Sequence, residues 1–331
     1  MAQYKIGITE AGDAGVDLSW VEKLDSVDAA ILVTKCVSPD FFDAVLEHRE
    51  KLVVHATITG YGHSVLEPNV PTPYEEFAAI MELVKAGFPM EKVVIRIDPI
   101  IPTEKGLSVA YRTIISFMEM GFQRYRVSVI DMYPHARNRF KEAGLPLPYG
   151  DSGFAPSKAQ LLKVDNMLRQ AKQFWEGLNN GKILRIESCA EPGLAEPIAC
   201  GCISDYDLGL LGLSKDTEAN GVGYQRNGCM CYAGKTELLK HKARCPHGCL
   251  YCYWKDMKGY SMRCPYCESG TNDFVPMNQT AEYSGIEMAV NRQGMLRVRV
   301  LDDDGGFTTQ DIIEIHNCPL CGKRFMKGRC V

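Results

Sequence analysis

The sequence of 331 residues predicts an α/β protein that begins with an open, partial (β/α)6 barrel of the TIM type and continues into a cysteine-rich segment and a small β domain. Three observations predict this order. Short apolar runs alternate with longer amphipathic ones over residues 5–190, 13 of the 14 cysteines follow residue 188, and two C-x2-C pairs flank the last apolar runs. We therefore expect three units: the barrel over residues 1–199, the cysteine-rich segment over 200–260 and the small β domain over 261–331.

Six apolar runs rich in valine and isoleucine are the candidate strands of the barrel. They span Lys5–Thr9, Ala29–Lys35, Leu52–Thr59, Lys92–Ile100, Arg124–Asp131 and Ile183–Ser188. Parallel strands have this composition because helices cover them. The amphipathic stretches predict helices near 39–49, 74–86, 108–120 and 157–176.

The composition excludes several classes of protein. With 46% hydrophobic and 24% charged residues, the chain is neither disordered nor a coiled coil. No apolar run approaches the roughly 20 residues that cross a bilayer, so we expect no membrane partner. No secretory signal is visible, and 14 cysteines in a cytoplasmic protein favour bound metal over disulfides.

The segment Cys-Pro-His-Gly-Cys-Leu-Tyr-Cys places Cys245, Cys249 and Cys252 in a C-x3-C-x2-C pattern. Three thiolates on one short loop suit three irons of a [4Fe–4S] cluster and leave the fourth iron open to S-adenosylmethionine (SAM). Tyr251, just before the third cysteine, is expected where the adenine of SAM packs. The alternative is half of a structural zinc site, although zinc sites favour two pairs of ligands.

The cysteine loop and three further motifs resemble an uncharacterised family of bacterial and phage proteins related to radical-SAM proteins and spore photoproduct lyase. The motifs are His55-Ala-Thr-Ile-Thr-Gly-Tyr-Gly62 with Leu66-Glu-Pro-Asn-Val-Pro71, then Ile95-Arg-Ile-Asp-Pro-Ile100, and Ser188-Cys-Ala-Glu191. The similarity covers about residues 5–255. In this family the cysteine loop follows the last barrel strand, whereas ordinary radical-SAM enzymes place it after the first. The resemblance implies a loop folded over the carboxyl ends of the strands.

Cys229 and Cys231 form a C-x-C pair that needs two more ligands to complete a metal site. Cys189, at the end of the sixth strand, and either Cys202 or Cys200 are the candidates. The resemblance favours Cys189 with Cys202, because both fall in segments similar to the cysteine-bearing ones of the family. An auxiliary [4Fe–4S] cluster, a zinc ion and free thiols are the alternatives.

Two C-x2-C pairs predict a zinc ribbon in the last 70 or so residues. The pairs are Cys264 with Cys267 and Cys318 with Cys321. Four thiolates around Zn²⁺ replace the hydrophobic core that a domain of about 60 residues builds poorly. Two strand-like runs lie between the pairs, at Gly285–Asn291 and Met295–Leu301. A rubredoxin-like iron is the alternative metal.

Polar residues at the ends of the predicted strands are the candidates for binding and catalysis, because function in this type of barrel lies at the carboxyl ends. The candidates for cofactor contact are Thr57 and Thr59, and those for catalysis are Arg96, Asp98, Asp131 and Glu187. Arg96 lies inside an apolar strand and requires a partner, either a carboxylate of the barrel or one of the cofactor or substrate.

The loop and the barrel pattern together predict a radical-SAM enzyme. It would reductively cleave SAM to a 5′-deoxyadenosyl radical, with flavodoxin or ferredoxin as electron donor, and abstract hydrogen from an unidentified substrate. Seven lysines and arginines with interleaved aromatic residues at 235–263 leave nucleic acid open as substrate or partner. The alternatives are a metal-containing nucleic-acid-binding protein and an iron–sulfur sensor or carrier without SAM chemistry.

Overall fold

The computed structural model describes most of the first 213 residues and parts of the remainder. The described residues are 4–178, 181–189, 191–213, 230, 232, 234–239, 245–254, 274–276, 286–291, 293–301, 307–316, 325–326 and 329–330. Within them lie fourteen strands and six α-helices.

The barrel strands are β1 Ile6–Ile8, β2 Ala29–Thr34, β3 Leu52–Thr57, β4 Val93–Ile100, β5 Arg124–Val129, β6 Arg185–Cys189, β7 Ile198–Cys200 and β8 Lys235–Glu237. The helices are α1 Pro39–Glu47, α2 Pro73–Lys85, α3 Glu104–Glu119, α4 Pro134–Glu142, α5 Lys158–Gly177 and α6 Asp205–Leu210. A 3₁₀-helix over Leu18–Ser26 connects β1 to β2.

All eight strands are parallel and form one sheet in the order β7-β6-β5-β4-β3-β2-β1-β8. From β1 to β7 each strand lies beside its predecessor in the chain. A doubly wound sheet reverses direction at a switch point, whereas this uninterrupted order is that of a curled half-barrel. Within the described residues no pairing joins β7 to β8, so the half-barrel is open along that seam.

Local sequence signals determine where the outer helices begin. α2 follows a capping box in which Thr72 and Glu75 satisfy each other's backbone N–H groups, and Pro73 occupies the first turn. α5 begins in the same way with Ser157 and Gln160. The buried faces of these helices cover the outer side of the sheet, where they form the main hydrophobic core.

The sequence correctly predicts the α/β class and the strands β1 to β6, but the sheet has two more strands than the expected (β/α)6 barrel. β7 and β8 contain three residues each and, unlike the equally short β1, neither lies in a run rich in valine and isoleucine. The expected boundary at 199/200 falls inside β7, and the described part of the cysteine-rich segment adds α6 and β8 to the barrel.

The inner face of the half-barrel is more polar than its outer face. Strand register aligns Thr57, Arg96, Arg126 and Glu187 in one row across β3 to β6. A smaller apolar cluster closes the inner face below this row, and Leu208 of α6 is part of it. The short helix α6 therefore covers the interior of the barrel.

The described C-terminal residues form an antiparallel sheet in the order β12-β11-β10-β9. Its strands are β9 Val275–Pro276, β10 Ile286–Val290, β11 Met295–Leu301 and β12 Phe307–Glu314, and a separate pair joins β13 Phe325–Met326 to β14 Arg329–Cys330. The two predicted strand-like runs are confirmed as β10 and β11, which pair antiparallel. The four cysteines expected to bind zinc lie outside the described residues.

No helix in the described part of the chain is long and apolar enough to cross a membrane.

Candidate active site at the carboxyl ends of the barrel strands

The segment from Cys245 to Cys252, called the cysteine loop below, packs on the carboxyl ends of the barrel strands. Leu250 is fully buried and its backbone N–H donates to the carbonyl of Leu66 at 3.0 Å. It belongs to an apolar cluster with residues that follow β3, β4 and β5, namely Leu66, Ile101, Ile130, Met132 and Phe140. The loop thus lies at the end of the barrel where this fold places function.

A buried histidine–carboxylate pair fixes the first half of the loop. The Nε2 atom of His247 lies 2.7 Å from Oδ2 of Asp13, which follows β1, and Nδ1 lies 3.1 Å from the carbonyl oxygen of Asn69. Both ring nitrogens face acceptors, so the geometry suits an imidazolium that donates twice. Burial alone would lower the pKa of His247, but Asp13 raises it above its usual value.

Asp13 in turn links the loop to the end of β2. Besides His247, its carboxylate accepts hydrogen bonds from the hydroxyl of Thr34 at 2.6 Å and from the backbone N–H of Lys35 at 2.6 Å. Burial acts to raise the pKa of Asp13, yet the bond from His247 and these donors hold it below its usual value. Asp13 is therefore an ionised carboxylate.

The second half of the loop is held by a buried lysine and glutamate. The ammonium of Lys35 donates to Oε1 of Glu67 at 2.8 Å and to the hydroxyl of Tyr251 at 2.8 Å, and that hydroxyl also donates to Glu67. Arg139 of α4 donates to the backbone carbonyls of Cys252 at 2.8 Å and Trp254 at 2.5 Å. The loop is thus bonded to elements that follow several different strands.

The three thiols of the loop form one electrostatic group. Burial raises the pKa of Cys245 to about 11 and that of Cys249 well above its usual value. The charge of a Cys252 thiolate raises the pKa of both thiols further. Three thiols within eight residues are the donor set of iron–sulfur and zinc sites. Among the residues that the structure describes, no group of three or more His, Cys, Asp or Glu is already arranged to hold a metal ion. The donor chemistry of three thiols on one loop fits an iron–sulfur cluster.

Arg96 finds its partner within the barrel. Its guanidinium pairs with Asp98, which also accepts a hydrogen bond from Ser128 of β5. Burial acts to raise the pKa of Asp98, but Arg96 and Ser128 hold it below its usual value. The side chain of Asp98 remains 30% exposed, so this ionised pair lines the open end of the barrel.

The predicted threonines lie beside this pair. Thr57 is the register partner of Arg96, and Thr59 accepts the backbone N–H of Tyr61 at 3.2 Å. Both threonines are buried. Asp131 lies in the connection between β5 and α4 and is partly exposed.

Glu187 is almost fully buried, in contrast to the ionised pair at the open end of the barrel. Its carboxylate accepts hydrogen bonds from Arg126 at 2.6 Å and from Arg185 at 2.5 Å, and Asp207 of α6 accepts one from Arg124 at 2.6 Å. Burial acts to raise the pKa of Glu187, but Arg126 holds it below its usual value. Glu187 is thus committed to a buried ionic network, which also stabilises the barrel interior.

The structure brings together two of the cysteines expected in a second metal site. The sulfur atoms of Cys189 and Cys202 are 3.6 Å apart, and the backbone carbonyl of Cys202 accepts a hydrogen bond from Arg126 at 2.7 Å. The other two expected ligands, Cys229 and Cys231, lie outside the described residues. Cys200 lies opposite Cys189 in the register of β6 and β7.

Sequence reasoning missed the residues that hold the cysteine loop. Asp13, Lys35 and Glu67 follow β1, β2 and β3, and no spacing rule connects them to a loop that lies some 180 or more residues later. Two signals were available. Lys35 directly follows β2 and Asp13 lies in the connection after β1, whereas Glu67 belongs to the Leu66–Pro71 motif.

Two comparisons with known proteins bear on the chain. The family model described as "Domain of unknown function (DUF1848)" matches residues 17–254, a range that includes β2 to β8 and the whole cysteine loop. No curated protein matches the sequence.

Proposed function

The chain belongs to the DUF1848 family, and we propose that it is an enzyme of the radical-SAM type in which Cys245, Cys249 and Cys252 hold a [4Fe–4S] cluster. One observation carries the proposal. The C-x3-C-x2-C loop, although it comes after the sheet in the sequence, packs against residues that follow β1, β2, β3, β4 and β5. This position of the loop supports the proposal, because barrel enzymes bind substrate at the carboxyl ends of their strands.

When bound, a cluster with three cysteine ligands supplies an open iron for SAM and the electron that cleaves it to a 5′-deoxyadenosyl radical. The residues of the chain itself hold the cysteine loop in position. Asp13 and Lys35 fix the two halves of the loop, and Leu250 seals its underside with apolar side chains that exclude water.

The polar residues of the barrel end are assigned to the cofactor and substrate. Asp98 is an ionised, partly exposed carboxylate that suits the ammonium group of SAM, and the Arg96 guanidinium beside it suits a carboxylate. Thr57, Thr59 and Asp131 supply further hydroxyl and carboxylate contacts. Glu187 serves by holding Arg126 rather than by touching substrate.

The remaining metal sites follow from the cysteines not used by the loop. Cys189 and Cys202, with Cys229 and Cys231, are assigned to an auxiliary cluster or zinc ion, and the C-terminal cysteine pairs to structural Zn²⁺. Flavodoxin or ferredoxin is the proposed electron donor, and a nucleic acid or nucleotide is the proposed class of substrate.

The proposal is tested by anaerobic reconstitution with iron and sulfide, followed by chromatography of SAM cleavage products after reduction. We expect 5′-deoxyadenosine from the wild-type chain and from Cys36→Ala, whose thiol is not a proposed ligand. Cys249→Ala is expected to lose this product. Full production by Cys249→Ala, or none by reconstituted wild-type protein, contradicts the proposal.

A further inference from the structure

A buried ammonium group lies directly against the cysteine loop. Lys35, the residue after β2, has a side chain only 16% exposed and bonds both Glu67 and the hydroxyl of Tyr251 at 2.8 Å. Its ammonium also lies 5.4 Å from the centre of the Tyr251 ring. Tyr251 stands between Cys249 and Cys252 in the chain, so these contacts hold one positive charge against the loop itself.

Geometry holds Lys35 beside the thiols. Tyr251, whose hydroxyl accepts the Lys35 hydrogen bond at 2.8 Å, lies one residue before Cys252 and two residues after Cys249. Burial acts to lower the pKa of Lys35, but Glu67 raises it above its usual value. Lys35 therefore carries a positive charge against the segment that joins two of the three proposed ligands.

Metal binding changes the charge of this group in a defined way. Three neutral thiols that release their protons and bind one divalent ion become a complex with a net charge of −1. A fixed positive charge nearby favours this loaded state over the empty one, and Glu67, the partner of Lys35, opposes it. Other cations also contact the loop: His247 pairs with Asp13, and Arg139 donates to the backbone carbonyl of the loop's last cysteine.

We propose that Lys35 is the charge-compensating residue of the cysteine loop, a fixed cation that favours thiolate-bound metal there and is held in place by Glu67 and Tyr251. The inference rests on the proposed function only in that the three thiols bind a metal. It assigns Lys35 and Glu67 opposite effects on the same equilibrium, although they form one ion pair.

Anaerobic titration of the full-length protein with Co²⁺ tests the inference. The measured signal is the part of the thiolate-to-cobalt charge-transfer absorption that Cys249→Ala removes, which separates the loop from other cysteine sites. Lys35→Met is expected to weaken Co²⁺ binding about tenfold or more. Lys35→Arg keeps the positive charge and is expected to bind Co²⁺ as tightly as the wild-type protein. Glu67→Gln is expected to tighten Co²⁺ binding.

Lys92→Met is the matched control. Lys92 is also buried and makes two hydrogen bonds, at 3.2 Å to the backbone carbonyls of Arg49 and Glu50, but it precedes β4 at the opposite end of the barrel. Its replacement is expected to leave Co²⁺ affinity unchanged. If Lys35→Met has no effect, or if Lys35→Met and Glu67→Gln both weaken binding, the ion pair is structural only and the inference is wrong.

The outcome is separable from that of the proposed function. Opposite shifts of Co²⁺ affinity in a protein that never cleaves SAM support the role of Lys35 and contradict the radical-SAM assignment. SAM cleavage in a protein without opposite shifts contradicts the role of Lys35 alone.

Discussion

Replacing Leu250 with alanine is expected to lower the free energy of unfolding by about 3 kcal/mol. Leu250 is fully buried, and its side chain packs among five apolar residues that follow β3, β4 and β5 or belong to α4. Truncation removes three carbon atoms from this cluster and leaves a cavity, and the measured cost of such changes is roughly 2–5 kcal/mol. The middle of that range applies because the surrounding loops allow partial collapse.

Urea denaturation followed by circular dichroism measures this loss. In thermal scans the same change corresponds to a fall of roughly 6–12 °C, taking about 2–4 °C per kcal/mol for a domain of this size. Leu162→Ala is the control, because Leu162 lies on α5 with 58% of its surface exposed and its truncation is expected to cost less than about 0.5 kcal/mol. A loss below about 1 kcal/mol for Leu250→Ala would mean that the cysteine loop does not pack on the barrel, and would refute the placement of the site.

Two further predictions concern the ionic network inside the barrel. Burial, together with Arg126, lowers the pKa of His55 to about 4 despite Asp207 at 3.7 Å. In the unfolded chain His55 is protonated near pH 6.5, so the free energy of unfolding is expected to fall by about 3 kcal/mol as the pH drops from 6.5 to 4. The variant His55→Gln is expected to lose this part of the pH dependence. An unchanged profile in His55→Gln would contradict the assignment. Arg126→Met removes an ion-pair partner of both Glu187 and Asp207 and is expected to lower the free energy of unfolding by about 3–5 kcal/mol in urea denaturation. Arg169→Met is the control, because Arg169 pairs with Glu196 at the surface, and it is expected to lower that free energy by less than about 1 kcal/mol. Equal losses of unfolding free energy in the two variants would show that the buried network does not contribute to stability.

The barrel was predictable where its elements are long and their composition is distinct. β4 spans eight residues and α5 twenty, and both show the periodicity that a sequence reveals. The helix α4 was missed because its nine residues are mostly polar and bury only Ala136 and Phe140. β8 was missed because its three residues, Lys235–Glu237, enter the sheet through pairing with β1 rather than through hydrophobicity.

The sequence points to the thiols of the candidate site but not to the residues that hold them. The spacing of Cys245, Cys249 and Cys252 predicts a metal-binding loop without any structure, and metal binding there stays a prediction. The partners that position it become identifiable only when the strand order places the residues after β1 to β3 at one end of the sheet. Glu187 shows the reverse case, because the sequence places it at a strand end while α6, with Asp207, encloses it in the interior.

Low-temperature EPR of the anaerobically reconstituted and dithionite-reduced protein, with and without SAM, tests the central claim most directly. If the cysteine loop holds a [4Fe–4S] cluster whose fourth iron is open, a [4Fe–4S]⁺ signal absent from Cys249→Ala will shift when SAM is added. A Cys249-dependent signal that SAM leaves unchanged would contradict the radical-SAM assignment and favour a sensor or electron carrier. No Cys249-dependent iron signal would contradict the cluster itself.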